Sequence, residues 1–395
     1  MTDWRVPMSA PDISDREREA VDEVLQTHVL SMGKQTKAFE ASVRDYSGAE
    51  HAIAVSSGTA GLHLCVRAAG IQPGDLVITS PYSFIASSNV LLYEHAVPIF
   101  VDVDERTGNL DAQQVKQAAA DLAQGQEVAQ RWLPRKGVGN DSRLRGILAV
   151  DIFGQAADFD AMRAVADEHG LALIEDSCEA IGAEYQGRKA GRLGDTGVYA
   201  FYPNKQMTTG EGGVVVTDDE AMAEMVRSLR NQGRSPGDTW LEHTHLGYNY
   251  RMTELSAVLG RVQMERLDDF LEQRAQVALW YSERLEEVEG ISLQQIDAKT
   301  TRMSWFLYVV RVDQGIDRDQ LIHNLAEARI PSRSYFTPIH LQPFMVERFG
   351  YQPGDFPITE DLGQRGLALP FSSVMTEDEV DLVVEELKKA LKALA

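Results

Sequence analysis

Apolar positions along the chain change their period at His51, and the change divides two kinds of structure. Before it, spacing is helical: Ser14 with Glu17 three residues on, then Ala20, Val21, Val24 and Leu25, predicts a capped helix from Ser14 through Thr27. A second helix is predicted over 35–46, after a turn at Ser31-Met32-Gly33. From His51 the short apolar runs AIAV, LVIT, VPIFVDV, GILAV and LALIED alternate with helical stretches, the first ending at Gly70 and the others over 84–94, 111–123 and 159–169. Strand alternating with helix predicts right-handed βαβ units and a mostly parallel sheet covered on both faces. Chemistry on such a sheet is sought just beyond the carboxyl ends of its strands.

Two segments break the alternation. Residues 124–143 are polar and read as a surface loop, and residues 231–250 are rich in Gly, Asn, His and Tyr and too long for a plain connection. A single long helix is expected from Thr253 to Glu287. Beyond Ile291 come a strand (SWFLYVVRV), a helix over 318–328, an extended piece over 332–335 and an amphipathic helix over 377–393. The expected division is a helical segment at 1–30, a large α/β domain at 31–260, and a linking helix with a small α+β domain at 261–395.

With 395 residues, 44% of them hydrophobic, the chain has ample material for a core, and its net charge of −22 disfavours nucleic acid or anionic lipid as a partner. A phosphate-bearing ligand must then be held locally, by backbone N–H groups and a few placed cations. Two distant cysteines, Cys65 and Cys178, suggest a reducing compartment and no metal site. No apolar stretch suits a membrane span, and the polar, acidic start is unlike a secretory signal, so a cytoplasmic protein is expected.

Four strand ends carry candidate chemistry. Ser57-Gly58-Thr59 passes from a strand directly into a helix, a geometry that aims N–H groups and two hydroxyls at an anion, although an ordinary capped turn looks the same. Tyr82 follows the next strand, placed either to stack on a flat heteroaromatic ring or to fill the core. LALIED ends in Glu175 and Asp176, with Glu179 beyond. Asp176 either pairs with a protonated pyridine nitrogen, leaving Glu179 within reach of that ring's phenolic oxygen, or caps the next turn. Lys205, between Pro203 and the loop TTGEGG, is either a Schiff-base lysine or a surface charge. Phosphate cradle, aromatic, acid and lysine in this order describe a pyridoxal phosphate site. Arg188, Lys189, Arg234 and Arg251 are candidate cations for a pyrophosphate.

In these motifs the sequence resembles the DegT/DnrJ/EryC1/StrS sugar aminotransferases, within fold type I of the aspartate aminotransferase superfamily. The resemblance runs from the SMGK turn through AVSSGTAGLHL, PGDLVITSPYSFIASSN, LIEDSCEAIGAEY, GDTGVYAFYPNKQMTTGEGG and GYNYRMTELSAVLG to YFTPIHLQP. It implies Lys205 as the Schiff-base residue, Asp176 on the pyridine nitrogen, Glu179 near the phenolic oxygen, Tyr82 on the ring, and Gly58 and Thr59 on the phosphate. It also implies a homodimer in which Asn249 reaches the neighbouring subunit's phosphate, and it sets Tyr335 and His340 beside the sugar. Ala200 departs from the pattern, since the family commonly has a phosphate-binding serine there. Relatives that dehydrate carry histidine in place of the lysine, so Lys205 favours transamination from an amino acid, L-glutamate by analogy, to a nucleotide-linked ketosugar (UDP, dTDP or GDP), with a lean toward C4. The alternatives are another fold type I enzyme acting on a free amino acid, such as a lyase or desulfurase, or a non-catalytic regulatory protein on the same scaffold.

Overall fold

The computed structural model describes residues 3–235 and 242–394, so 236–241 of the expected long connection lie outside the described residues. β1 (His51–Val55), β2 (Leu76–Thr79), β3 (Val97–Phe100), β4 (Leu144–Val150) and β5 (Ala172–Asp176) are the five apolar runs, and each is buried along nearly its whole length. Strands covered on both faces must be apolar on both faces, which is why these segments do not alternate. After two short strands, β6 (Glu184–Tyr185) and β7 (Arg188–Lys189), come β8 (Thr196–Ala200) and β9 (Gly213–Thr217).

The large sheet runs β1-β9-β8-β5-β4-β2-β3. Neighbours from β8 to β3 pair in parallel, while β9 runs antiparallel to both β1 and β8. The sheet is therefore α/β and mostly parallel, with helices on both faces. The sequence reading missed β9, whose run GVVVT directly follows the glycine-rich loop, and the helix Glu220–Arg230 after it.

Later strands build two smaller sheets. β10 (Ile291–Leu293), β12 (Tyr308–Val312) and β13 (Gly366–Leu369) form one, in the order β10-β12-β13; β11 (Thr300–Arg302) joins β6 and β7 in the other. The helices Leu267–Leu285, Arg318–Glu327 and Glu377–Lys392 bury Tyr281, Leu321 and Leu387 in one apolar cluster with Val310 and Leu369.

Helix Asp15–Leu25 starts as expected: the Glu17 carboxylate accepts from the Ser14 N–H at 2.8 Å and from its hydroxyl. The expected single helix over 253–287 is instead two, Glu254–Met264 and Leu267–Leu285. The break falls at Arg266, whose guanidinium is drawn back to Glu17 and Asp12, each at 2.8 Å. Apolar spacing continues through the break, so periodicity could not reveal it. The 124–143 segment includes one short helix, Gln126–Ala129.

Candidate active site

The parallel strand ends open on a cavity of about 520 Å3, lined by residues from widely separated parts of the chain, among them Gly58, Thr59, Phe84, Asp176, Glu179 and Lys205. At the end of β1 the chain turns into the helix Gly58–Ala68, and Ser57 caps it by accepting the Ala60 N–H at 3.1 Å. The amides of Gly58 and Thr59 remain at the open, positive end of that helix. Glycine is required at 58 because three elements converge there. A Cβ would stand 2.6 Å from the Ala200 Cβ at the end of β8 and 2.9 Å from the Cys178 Sγ after β5. Ala200 thus places a methyl group against Gly58, and a larger side chain would press on the helix end.

Asp176 ends β5 and is nearly buried. One carboxylate oxygen accepts from the Ser87 hydroxyl at 2.8 Å and the other from the Cys178 N–H at 3.2 Å. Ser83 in turn lies 2.9 Å from Ser87. Behind Asp176, Glu175 accepts the N–H groups of Gly191, Leu193 and Gly194, and Ser177 bonds to both Glu175 and Asp151. Burial, then the neighbouring Glu175 charge, pushes the Asp151 carboxyl well above its ordinary value.

Lys205 follows β8 after a turn closed by its N–H on the Tyr202 carbonyl, at 2.9 Å. Its Nζ lies 3.6 Å from Glu179 Oε1 and 3.7 Å from the centroid of the Phe306 ring. The other Glu179 oxygen accepts the Phe153 N–H at 3.0 Å, and Phe153 sits in the left-handed region at φ 55. Burial pushes the Glu179 carboxyl up, against the pull of Lys205. Gln206 bonds the Glu179 carbonyl at 2.6 Å and the Ser304 hydroxyl at 2.9 Å, which links the lysine segment to the stretch carrying Phe306.

These groups fit pyridoxal phosphate on their own chemistry. A helix N-terminus suits its phosphate, a buried carboxylate its ring nitrogen, an exposed aromatic its flat face, and an amine beside an aromatic its aldehyde. Tyr82 does not line this cavity. That residue is 2% exposed, packs edge-on against Phe153 and Phe336, and donates its hydroxyl to the Tyr335 carbonyl at 2.7 Å. Phe84, 62% exposed, lines the cavity instead. β2 stops at Thr79, so no strand alternation governs which of the two aromatics turns inward.

Tyr335 lines the cavity, but His340 does not. It is wholly buried, its Nε2 is 3.0 Å from Glu360, and its ring lies against Phe356. Asn249 is exposed and bridges to Asn231, while Arg251 donates to the Asn231 side chain at 2.9 Å; neither lines the cavity of its own chain. Of the other candidate cations, Arg188 pairs with Asp160, Lys189 with Glu184 at 2.9 Å, and Arg234 bridges to His243, all outside the cavity lining. Phe84, Ser87, Phe153, Gln206 and Phe306 were missed by sequence reasoning. For Phe84 a signal existed, an aromatic two residues after Tyr82; for Phe306 there was none, because its place depends on a distant segment folding back. Among the described residues no group of three His, Cys, Asp or Glu side chains is placed to hold a metal, and no helix is long and apolar enough to cross a membrane.

Known proteins share this architecture over its full length. The chain is 36% identical over 390 residues to GDP-perosamine synthase of Caulobacter vibrioides, covering 98% of each. It is 34% identical over 400 residues to the spore coat polysaccharide biosynthesis protein SpsC of Bacillus subtilis, covering 98% of this chain and 97% of that one. Among solved structures, S. venezuelae DesV in complex with a ketimine intermediate superposes with a TM-score of 0.85 at 29% identity over 98% of both chains. Residues 11–388 match the DegT/DnrJ/EryC1/StrS aminotransferase family, and the chain belongs to that family, a fold type I aminotransferase whose cofactor is pyridoxal 5′-phosphate.

Proposed function

We propose that this enzyme moves an amino group from an amino acid, L-glutamate, to the keto carbon, C4, of a nucleotide-linked sugar. The observation that carries the reading is the meeting of the Lys205 amine, the Asp176 carboxylate and the Gly58–Thr59 helix end on one cavity. The likeness to GDP-perosamine synthase supports a nucleotide-linked acceptor.

Bound pyridoxal phosphate supplies an aldehyde for imine exchange and a ring that takes up the electron pair released at the substrate carbon. The chain's residues do the rest. Ser57, Gly58 and Thr59 hold the phosphate at the helix end. Asp176, fixed by Ser87, presents a carboxylate to the ring nitrogen and keeps it protonated. Glu179, beside the Lys205 amine, would face the phenolic oxygen. Phe84 covers the flat face. The Lys205 amine, once released, takes the proton from the donor's α carbon and later delivers one to the sugar carbon. Tyr335, at the cavity wall, borders the sugar.

A second copy of the chain completes the site by bringing Asn249 to the phosphate. The exposure of Asn249, and of Leu25, Val29, Leu30 and Leu246, supports this arrangement. The test is a reverse-reaction screen of aminated UDP-, dTDP- and GDP-sugars with 2-oxoglutarate, read by mass spectrometry. Glutamate formation from a 4-amino nucleotide sugar, abolished in Lys205→Ala, is expected. Turnover of free amino acids alone, with release of ammonia, would overturn the reading.

A further inference from the structure

Arg274 stands within the helix Leu267–Leu285 and is 1% exposed, the first among the largest fully buried side chains. A buried guanidinium ordinarily pairs with a carboxylate, yet among the described residues none forms an ion pair with it. Its partners are three carbonyl oxygens: Nη2 donates to that of Lys205 at 2.9 Å, and Nη1 to those of Trp305 at 3.1 Å and Phe306 at 3.3 Å. The Nε–H is buried without an acceptor, and the guanidinium carbon lies 5.5 Å from the centroid of Phe371. Burial lowers its pKa to about 10, so it remains a cation at neutral pH.

A cation held without a counter-charge is costly to bury, and only its hydrogen bonds offset that cost. The three carbonyls show what the charge accomplishes. Lys205 carries the amine, and Phe306 carries the ring on which that amine rests at 3.7 Å. The Phe306 N–H bonds the Phe153 carbonyl at 3.0 Å, and the Phe153 N–H holds Glu179. One planar group with several fixed donors therefore joins the main chain of the lysine to the ring and, through Phe153, to the acid beside its amine.

We propose that Arg274 is a positioning residue for Lys205. By gripping the carbonyls of Lys205, Trp305 and Phe306 together, it fixes the amine relative to the Phe306 ring and Glu179, and so fixes the direction from which the amine meets an aldehyde. The inference rests on the reading of Lys205 as the Schiff-base lysine. It assigns Arg274 no contact with cofactor or substrate.

The experiment uses the full chain, freed of cofactor, as the parent and as Arg274→Met and Arg274→Lys. Three quantities are read: the melting temperature, the affinity for pyridoxamine phosphate, which needs no bond to lysine, and the rate at which added pyridoxal phosphate forms a borohydride-reducible link. In Arg274→Met the expected result is a lowered melting temperature, since three buried carbonyls lose their donor, with an unchanged pyridoxamine phosphate affinity in the folded protein. Link formation should be slower by about tenfold or more, because small displacements of a reacting group carry penalties of that size. Arg274→Lys keeps a cation but cannot span three carbonyls, and is expected to recover part of the rate. A folded Met variant that forms the link at the parent rate overturns the proposal. Should the Met variant not fold, Arg274→Lys decides: a slowed link supports the proposal and the parent rate defeats it. Failure of the underlying reading looks different, since the parent itself would then form no reducible link that Lys205→Ala abolishes.

Discussion

The Nζ of Lys205 lies 3.7 Å from the centroid of the Phe306 ring, although the two residues belong to segments with no proximity in sequence. A ring face attracts an ammonium electrostatically, an interaction worth about 2 kcal/mol where water is excluded. Phe306→Leu keeps most of the apolar volume and loses the ring. Its half-reaction with an amino donor is expected to slow by about tenfold, as roughly 1.4 kcal/mol would produce, with the far-ultraviolet circular dichroism unchanged. Stopped-flow absorbance checks it.

Tyr82 and Phe84 separate core from site. Tyr82→Phe removes the hydroxyl bonded to the Tyr335 carbonyl and should cost about 1 kcal/mol of stability with no change in affinity for pyridoxal phosphate. Phe84→Ala, at an exposed position on the cavity, should do the reverse: stability is kept and cofactor affinity falls about tenfold as stacking is lost. Chemical denaturation and equilibrium dialysis distinguish the two.

At Gly58 a methyl group has no room, with Ala200 at 2.6 Å and Cys178 at 2.9 Å. Gly58→Ala should destabilise the fold by about 1–3 kcal/mol and displace the helix end. Weaker binding of the cofactor's phosphate, measured by competition with inorganic phosphate, is the expected companion effect.

The buried Asp151–Ser177–Glu175 group carries a pH dependence. Burial raises the Asp151 carboxyl well above its ordinary value in the folded chain. A raised value means that its contribution to stability is fully present below the unfolded carboxyl value, about 3.9, and is lost as pH rises toward the folded value. Asp151→Asn mimics the protonated form and should flatten the fall in melting temperature as pH rises above the ordinary carboxyl value. Glu175→Gln puts an amide where three N–H groups need acceptors and should cost about 2 kcal/mol at any pH. Calorimetry across that range reads both.

Glu17 behaves oppositely. Burial acts to raise its pKa, but hydrogen bonds from Ser14, Arg266 and Gln263 outweigh it and hold the carboxyl at about 2. A lowered value gives stability that is present above the unfolded carboxyl range and lost as pH falls through it toward 2. The N-terminal helix should therefore loosen from Glu254–Met264 on acidification before the large sheet melts. Hydrogen exchange of the Ala20–Val24 amides, in the parent and in Glu17→Gln, tests the order.

Much of this could be read without coordinates. Apolar runs without alternation, separated by helix-length stretches, point to strands buried on both faces, and four of the five, β2 to β5, do pair in parallel, while β1 meets the unforeseen β9 antiparallel. Ser14 with Glu17, and the turn at Ser57-Gly58-Thr59, are local devices whose partners lie within a few residues, so the sequence shows them directly. The place of Asp176 and Lys205 on the cavity was legible because the one ends an apolar strand and the other follows soon after one.

Other features depend on which distant segments meet. His340 carries a titratable ring in a polar motif, yet Phe356 and Glu360 enclose it. Tyr82 and Phe84 are equivalent aromatics until the Tyr335 carbonyl claims the hydroxyl of one. Arg274 reads as a charge on an amphipathic helix, and only the fold brings the carbonyls of Lys205 and Phe306 to its guanidinium. Short-range geometry and solvent exclusion along one segment are properties of sequence. The choice between a buried partner and an open cavity belongs to packing, because it turns on atoms that the chain brings from elsewhere.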